Sequence, residues 1–198
     1  LFTDGKLDRT ARRLNRLTRG VLERFVSHES FEKRRNCEIV TLAYPAGLQV
    51  EALDVVILDR KATVEDLRKA GAGLAKKYSC KEVLIMTGSM RNAVEFVQGV
   101  AMRTYSFERH KTSSKSTAPE SITVMHNSIE TLQDQLDDLF AVTEGIFFTR
   151  DLVNEPANAL TTTSFAERLI ELKTLGMKVE VLEEDQLAEL GMRALLCV

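Results

Sequence analysis

The sequence predicts an α/β fold that begins with one domain and continues into a second. Two observations lead to this prediction: helical and strand patterns alternate along most of the chain, and two strand patterns are almost continuously apolar, as in sheets covered on both faces. The composition agrees, since 44% hydrophobic and 28% charged residues are ordinary for a globular protein. The 198 residues suffice for one full domain and part of another.

The first elements are one helix and two strands. Apolar residues recur at helical spacing from Leu7 to Val26, which predicts a single helix. Cys37–Tyr44 mixes β-branched and aromatic residues and stops at Pro45, so we expect a strand followed by a turn. Ala52–Asp59 is nearly continuous in apolar residues and predicts a buried strand.

Two helices and two strands follow. Helical spacing predicts helices over Val64–Tyr78 and Asn92–Arg103, and the apolar run Glu82–Gly88 predicts another buried strand. His110–Ser121 has no period and is rich in Ser, Thr and Lys, which predicts a flexible loop before a strand over Ser121–His126. The alternation indicates a largely parallel or mixed sheet.

The clearest pattern is a long helix near the middle of the chain. Asn127 and Glu130 have the spacing of a capping box, and apolar residues then recur at helical steps for about seven turns. Pro156 forces the residue before it out of the helical region, so we expect the helix to end there. We predict an N-terminal domain, a connecting helix and the beginning of a second domain, over 1–127, 128–155 and 156–198.

A second α/β domain is predicted to begin after the proline. Thr161–Ser164 supply N-cap candidates for a helix, Ser164 and Glu167 have capping-box spacing, and Gly176 suits the C-terminus of the helix. A short helix ends at Gly191. Apolar residues on either side of it predict two strands, over 177–182 and 194–198.

Charge and cysteine content argue against several classes of protein. The net charge of -2 and the pI near 6.0 argue against a nucleic-acid or membrane-surface protein. No apolar run approaches the roughly 18 residues of a membrane span. The 3 cysteines are far apart, which argues against a disulfide framework and indicates a reducing, cytoplasmic setting. Because the chain begins with Leu and ends in an apolar run, we expect a segment of a longer protein.

Searches for catalytic motifs find no site. Gly71–Lys76 has two glycines of a dinucleotide-binding motif but lacks the third and lies in a predicted helix. Ser30–Lys33 has S-x-x-K spacing without the companion motifs of that class of enzyme. The histidines are scattered without zinc spacing, at His28, His110 and His126.

The remaining reactive or charged groups have structural interpretations. Cys197 lies in an apolar run, so we expect a buried, inert thiol. Asp137 and Asp138 are expected on the exposed face of the long helix. The carboxylates at Glu183–Asp185 lead a helix, where negative charge suits the helix dipole. The residues alone therefore predict no ligand site.

Phe147–Leu169 carries the most specific pattern in the chain. It reads FFTRDLVNEPANALTTTSFAERL and resembles the segment joining the two domains of leucyl aminopeptidases, also called cytosol aminopeptidases, where the pattern is roughly A-R-D-L-V-N-x-P-A-N-x-L-T-P-x-x-F-A. The matching residues are Arg150, Asp151, Leu152, Asn154, Pro156, Ala157, Asn158, Leu160, Thr161, Phe165 and Ala166. Gly99–Thr112 and Lys178–Val198 are similar to looser family patterns. Departures from the family occur at Thr162, where proline is usual, and at Arg193 and Cys197, where glycine is frequent.

The resemblance implies a metal-dependent aminopeptidase that releases N-terminal amino acids from peptides. It implies a macro-like α/β N-terminal domain, with a mixed sheet flanked by helices, before the catalytic domain. Two divalent metal ions, zinc or manganese, a hexameric homo-oligomer and a cytoplasmic location are also implied. The family's metal-binding and catalytic motifs, G-K-G-x-x-F-D-S-G-G and N-T-D-A-E-G-R-L, do not occur in this chain.

We therefore assign no catalytic, cofactor-binding or metal residue to this sequence. We expect the segment alone to bind no metal, to be inactive, and to serve oligomer assembly and access to the active site.

Two other functions stay open. One is a binding module for nucleic acid or for a nucleotide such as ADP-ribose. Its candidate basic residues are Arg9, Arg12, Arg13, Arg16 and Arg19, but the net charge argues against strong binding to nucleic acid. Thr87–Met90 is a poor substitute for the glycine-rich phosphate loop that ADP-ribose requires. The other is a truncated scaffold that only assembles.

Overall fold

The computed structural model describes residues 1–78, 81–112 and 118–197. The chain divides into two compact units, Leu1–Phe147 and Phe148–Val198. The division falls inside the long helix that the sequence predicts, so the three-part division at 127 and 155 stays a prediction. No helix among the described residues combines the length and apolar character needed to cross a membrane.

The N-terminal segment forms three short helices: α1 (Arg9–Leu17), α2 (Val21–Val26) and α3 (Glu29–Glu32). The predicted single helix from Leu7 to Val26 is therefore wrong. The chain turns at Arg19 and Gly20, whose φ angles are 54° and 81°. Glycine adopts this left-handed backbone without steric cost, and its N–H donates to the carbonyl of Asn15 at 2.8 Å, which closes α1.

The first strand pair is an antiparallel hairpin. β1 (Ile39–Ala43) pairs with β2 (Ala52–Val56), with Ile39 opposite Val56 and Ala43 opposite Ala52. Pro45 lies in the turn between them, as predicted. Val55 and Ile57 are buried together with Leu22 of α2 and Phe31 of α3, so this hairpin and the N-terminal helices share one core cluster.

The second strand pair is parallel and is connected by a helix. In chain order the elements are α4 (Val64–Lys77), β3 (Glu82–Gly88), α5 (Ala93–Arg103) and β4 (Ser121–His126). The two strands pair in parallel. A capping box between Thr63 and Asp66 begins α4. A second core cluster joins these elements, formed by Leu58, Leu67, Ala70, Leu74, Ala75, Ile85, Phe96 and Val100.

Two glycines allow α4 and α5 to pack closely. A β-carbon added to Gly71 would lie 2.1 Å from the carbonyl oxygen of Phe96, and one added to Gly99 would lie 2.0 Å from that of Arg68. Neither position has room for a side chain. The glycines of Gly71–Lys76 therefore serve helix packing, consistent with the prediction that this stretch lies inside a helix.

The predicted α/β class is confirmed, with two differences in the strands. Both antiparallel and parallel pairs occur, as in a mixed sheet, but within the described residues they form two separate two-stranded sheets. The sequence predicts burial on both faces of β3, whereas its Leu84 is 58% exposed. Among the described residues, the helical core packs against the face of β3 that carries Ile85.

The predicted long helix is confirmed as α6 (Ile129–Asn154), a helix of 26 residues. It begins two residues after Asn127, so the prediction that Asn127 caps it is wrong. Instead, the side-chain oxygen of Asn127 accepts a hydrogen bond from the hydroxyl of Thr10 at 3.2 Å. In the loop predicted before β4, residues 113–117 lie outside the described residues.

The regular secondary structure described in the second unit consists of helices. It contains α7 (Thr162–Glu171), α8 (Glu184–Glu189) and two short 3-10 helices, Leu172–Leu175 and Leu195–Cys197. Gly176 and Gly191, with φ angles of 84° and 72°, follow helices as predicted.

Two strands predicted for the second unit are wrong, and so is the predicted capping box between Ser164 and Glu167. Thr161, one of the predicted N-cap candidates, caps α7, and Ser164 occupies the third helical position of its capping box. Residues 177–182 form no strand, and residues 195–197 form a 3-10 helix. An alternating pattern needs a neighbouring strand for its backbone N–H and C=O groups, and none of the described residues pairs with these stretches. Val198 lies outside the described residues.

Candidate functional site

The junction after α6 is held by backbone hydrogen bonds. The helix ends at Asn154, two residues before Pro156. The N–H groups of Ala159 and Leu160 both donate to the carbonyl of Pro156 at 2.9 Å, which forms a turn. The side-chain amide of Asn154 donates to the carbonyl of Arg150 at 2.8 Å. The end of the helix that Pro156 predicts is confirmed.

A buried ion pair joins this turn to α7. The carboxylate of Glu155 is 2% exposed and lies 3.1 Å from a guanidinium nitrogen of Arg168. A buried carboxylate without a partner carries a large desolvation cost, so this pair constrains the junction. Sequence reasoning missed it, because Glu155 occupies the variable position of the N-x-P motif and Arg168 lies 13 residues away.

The start of α7 completes the junction. The hydroxyl of Ser164 accepts from the N–H of Thr161 at 2.8 Å, and the hydroxyl of Thr161 accepts from the N–H of Ser164 at 3.3 Å. The hydroxyl of Ser164 also lies within 3.2 Å of the carbonyl of Ala159. These polar side chains therefore bond to the backbone of the junction itself.

The described residues do not assemble a metal centre. Among residues 1–78, 81–112 and 118–197, no group of three or more His, Cys, Asp or Glu side chains is placed to hold a metal ion. The described part of the chain thus does not fit the two-metal site that the resemblance implies for the whole enzyme.

The three histidines lie apart. The ring of His28 caps α3 by accepting from the N–H of Ser30 at 3.2 Å. Nδ1 of His126 is 2.9 Å from the hydroxyl of Thr87. The ring of His110 lies 5.7 Å from that of Phe107. Each histidine thus has a local contact of its own.

The two described cysteines differ in environment. Cys37 is partly buried, and its Sγ donates to the carbonyl of Asp66 at 3.2 Å. Burial raises the pKa of the Cys37 thiol, and the negative charge of Asp66 raises it further. Cys197 is exposed, so the expectation that it is buried is wrong, because the apolar run around it forms no strand.

The turn after β3 is unsuited to a phosphate group. A β-carbon added to Gly88 would lie 2.0 Å from a carboxylate oxygen of Asp8, so this carboxylate lies directly against the turn. The other oxygen of Asp8 accepts from the N–H of Ala11 and caps α1. A fixed negative charge at this place opposes an anionic ligand, which agrees with the expectation that Thr87–Met90 is a poor phosphate loop.

A buried carboxylate on β2 holds the C-terminal end of α4. Asp54 is 5% exposed and accepts from the ammonium of Lys77 at 2.8 Å and from the hydroxyl of Tyr78 at 2.7 Å. Lys77 also donates to the hydroxyl of Thr41 on β1. Burial alone raises the pKa of Asp54, but the hydrogen bonds from Lys77 and Tyr78 outweigh it and hold that pKa below its ordinary value. Burial, and then the bond to Asp54, raise the pKa of Tyr78.

An open basic surface lies along α1. An open cavity of about 930 Å³ is lined by Lys6, Leu7, Arg9, Arg12, Asn15, Arg16 and Glu23. We call Arg9, Arg12, Arg13 and Arg16, which are all exposed, the arginine stripe. Within the described residues no carboxylate pairs with any of the four, and Nε of Arg12 donates a hydrogen bond to the carbonyl of Asp8 at 3.3 Å.

Comparison with known proteins identifies the family. The family description "Cytosol aminopeptidase family, N-terminal domain" matches residues 1–114, and "Cytosol aminopeptidase family, catalytic domain" matches residues 147–198. The chain belongs to the cytosol aminopeptidase family. The second match begins at Phe147, inside α6, so the junction described above lies at the beginning of the catalytic-domain match.

Curated members of the cytosol aminopeptidase family are similar over nearly the whole chain. Proteins named probable cytosol aminopeptidase are 44% identical in Cereibacter sphaeroides and 45% identical in Dinoroseobacter shibae, each over 98% of this chain and 40% of the relative. A protein of the same name from Phytoplasma australiense is 33% identical over 91% of this chain. The chain thus spans about 40% of the length of the first two relatives.

Solved structures show that the fold is shared with leucine aminopeptidases. A mutant of tomato leucine aminopeptidase superposes with a TM-score of 0.69 over 96% of this chain and 42% of its own, at 20% identity. The bottromycin maturation enzyme BotP, in a complex with manganese, superposes with a TM-score of 0.64 over 96% of this chain and 39% of its own, at 19% identity.

Proposed function

We propose that this chain is the N-terminal portion of a metal-dependent aminopeptidase that releases N-terminal amino acids from peptides. The observation that carries the proposal is the order of the two family matches, with the N-terminal domain over residues 1–114 and the catalytic domain beginning at residue 147. The names of the relatives support the same activity.

The part of the enzyme present in this chain serves assembly and access to the active site, and it is inactive alone. Two observations support the proposal that it is inactive alone. The described residues bring together no metal-ligating cluster. At the junction, the side chains of Glu155, Thr161 and Ser164 bond to other groups of the chain itself.

The metal ions belong to the complete enzyme. We propose two divalent ions, zinc or manganese, held by the part of the enzyme that this chain does not span. Such ions activate a water molecule and polarise the peptide carbonyl when bound. The manganese in the BotP complex is in keeping with this choice of metal. A cytoplasmic location is proposed from the names of the relatives.

A chimera tests the proposal. The 198-residue chain is joined to the part of the Cereibacter sphaeroides relative that follows the matched region, and leucine release from a leucyl anilide is measured with manganese or zinc. We expect hydrolysis by the complete relative and by the chimera, and none by the chain alone. Because the N-terminal portion shapes access, the chimera and the relative are expected to differ in KM more than in kcat.

Two results would contradict the proposal. Leucine release by the purified chain with metal would disprove that it is inactive alone. A folded chimera that stays inactive beside an active relative would disprove that this chain serves as the N-terminal portion of such an enzyme.

An anion-binding module is the second candidate. The arginine stripe favours it, whereas the net charge of -2 and the Asp8 carboxylate against Gly88 oppose it. A gel mobility shift with duplex DNA at several salt concentrations tests this candidate, since binding through phosphates weakens steeply as salt rises. We expect no shift at physiological salt.

A further inference from the structure

The arginine stripe is a concentrated positive charge on a chain whose net charge is negative. Arg9, Arg13 and Arg16 lie within about 60° of one another around α1, at 3.6 residues per turn, and Arg12 lies beside them. All four are exposed, and none forms an ion pair within the described part of the chain. The helix contains no acidic residue that would neutralise them.

The first 21 residues of α6, about six turns, have the opposite character. Residues 129–149 contain five acidic residues and no basic residue. Glu130, Asp134, Asp137 and Glu144 fall within about 80° of one another around the helix, and we call them the acidic stripe. All four are exposed, and the described residues provide no basic partner for any of them.

Each stripe has an exposed apolar side chain beside it. Leu17 follows Arg13 by one turn of α1 and is 51% exposed, and Phe140 follows Asp137 by one turn of α6 and is 47% exposed. Protein interfaces combine an apolar centre with a polar rim, and each stripe offers side chains of both kinds.

The two stripes do not neutralise each other within one molecule. Their N-terminal ends are close, because Thr10 of α1 bonds to Asn127 just before α6. Even so, no ion pair joins α1 to α6 among the described residues. A second copy of the chain is the partner that brings an acidic stripe to an arginine stripe without rearrangement of the fold.

We propose that two copies of this chain associate by docking the arginine stripe of one copy onto the acidic stripe of the other. The acidic stripe extends about 21 Å along α6, and the arginine stripe about 10 Å along α1, so the longer surface accommodates the shorter one. In a two-fold dimer the contact occurs twice, because each copy presents both stripes. The inference rests on the assembly role in the proposed function and names the surfaces that carry it.

Complementary charge reversal tests this docking. One variant carries Arg9→Glu, Arg13→Glu and Arg16→Glu, and the other carries Glu130→Lys, Asp134→Lys and Asp137→Lys. The matched control reverses three exposed carboxylates outside the stripe, Glu180, Glu184 and Glu189, to Lys. Sedimentation velocity measures self-association of each protein at about 50 mM and about 500 mM NaCl, where screening differs strongly. Circular dichroism confirms that each variant is folded.

The expected results have a distinct pattern. Self-association of the unmodified chain weakens at high salt, and each stripe variant raises the dimer dissociation constant at low salt by at least about tenfold, since attractive pairs become repulsive. Mixing the two stripe variants in equal amounts restores a dimer, because reversed charges face each other again. The control variant associates like the unmodified chain. Phe140→Ala, which leaves the charges intact, also weakens the dimer.

Other outcomes overturn the inference in distinguishable ways. A chain that is monomeric at every concentration overturns both the docking and the assembly role. A chain that associates equally with and without charge reversal overturns the docking alone. The docking is likewise overturned if the mixture of variants fails to associate, or if the arginine stripe binds duplex DNA while self-association is unchanged by its reversal.

Discussion

Replacement of Asp54 by alanine is the most direct test of the hydrogen bonds that Asp54 accepts from Lys77 and Tyr78. The change removes a 5% exposed carboxylate that accepts hydrogen bonds from Lys77 and Tyr78. A hydrogen bond to a charged group contributes about 1.5–3 kcal/mol, and the bond from the 37% exposed Lys77 is discounted to about 1 kcal/mol for solvent screening. We therefore expect the free energy of unfolding of the first unit to fall by about 3 kcal/mol.

The assay is urea unfolding followed by far-UV circular dichroism. Asp54→Ala is compared with Asp54→Asn, which retains a side-chain oxygen acceptor without the charge, and with Tyr78→Phe, which removes one donor. We expect losses of roughly 1–2 kcal/mol for each of these two variants. A loss below about 0.5 kcal/mol for Asp54→Ala would show that water replaces both partners, and the argument from burial would be refuted.

The pH dependence provides a second measurement on the same residue. The folded-state pKa of Asp54 is lowered, so its contribution is present above the pKa of the unfolded chain, about 3.9, and is lost as pH falls through the lower folded-state pKa. The difference in stability between the unmodified protein and Asp54→Ala should therefore be constant near neutral pH and shrink in acid. A difference that grows in acid would contradict the assignment.

Three further changes test packing and the junction. Gly71→Ala forces a β-carbon to 2.1 Å from a carbonyl oxygen of α5 and should cost about 1–3 kcal/mol in thermal unfolding, whereas Gly145→Ala, which has open space, should be neutral or stabilising. Thr161→Ala removes the cap of α7 and should lower the free energy of unfolding by about 1 kcal/mol. Thr163→Ala, a change inside the same helix, should not lower it, and equal effects of the two changes would contradict the capping assignment. Glu155→Ala breaks the buried pair with the guanidinium on α7 and should raise amide hydrogen exchange in that helix, and unchanged exchange would show that the pair does not hold it.

Long periodic stretches were predictable because their signals are local. The helices α4, α5 and α6 follow from apolar residues at helical spacing, and the prediction for β3 over Glu82–Gly88 agrees with the structure at both ends. Pro156 stops a helix through its own ring geometry, without help from tertiary contacts. In such stretches, local preference and tertiary packing agree.

The wrong predictions fall where local signals are weak or need a partner. The apolar pattern from Leu7 to Val26 continues across Gly20, but the backbone turns there and makes two helices. Residues 177–182 alternate like a strand, yet a strand exists only when a neighbour accepts its hydrogen bonds. The exposure of Cys197 follows from the same cause, since the apolar run around it is not paired.

The sequence alone was enough to indicate the family, because the family motif is a continuous run of residues. It also predicted the long helix and its end, because these follow from local backbone preference. Which charges meet depends on tertiary packing. Asp54 and Lys77 are 23 residues apart in sequence, Glu155 and Arg168 are 13 apart, and both pairs form because packing brings distant elements together. The same packing leaves the arginine and acidic stripes exposed and without ion pairs among the described residues, since pairing requires proximity in space, which residue spacing does not reveal.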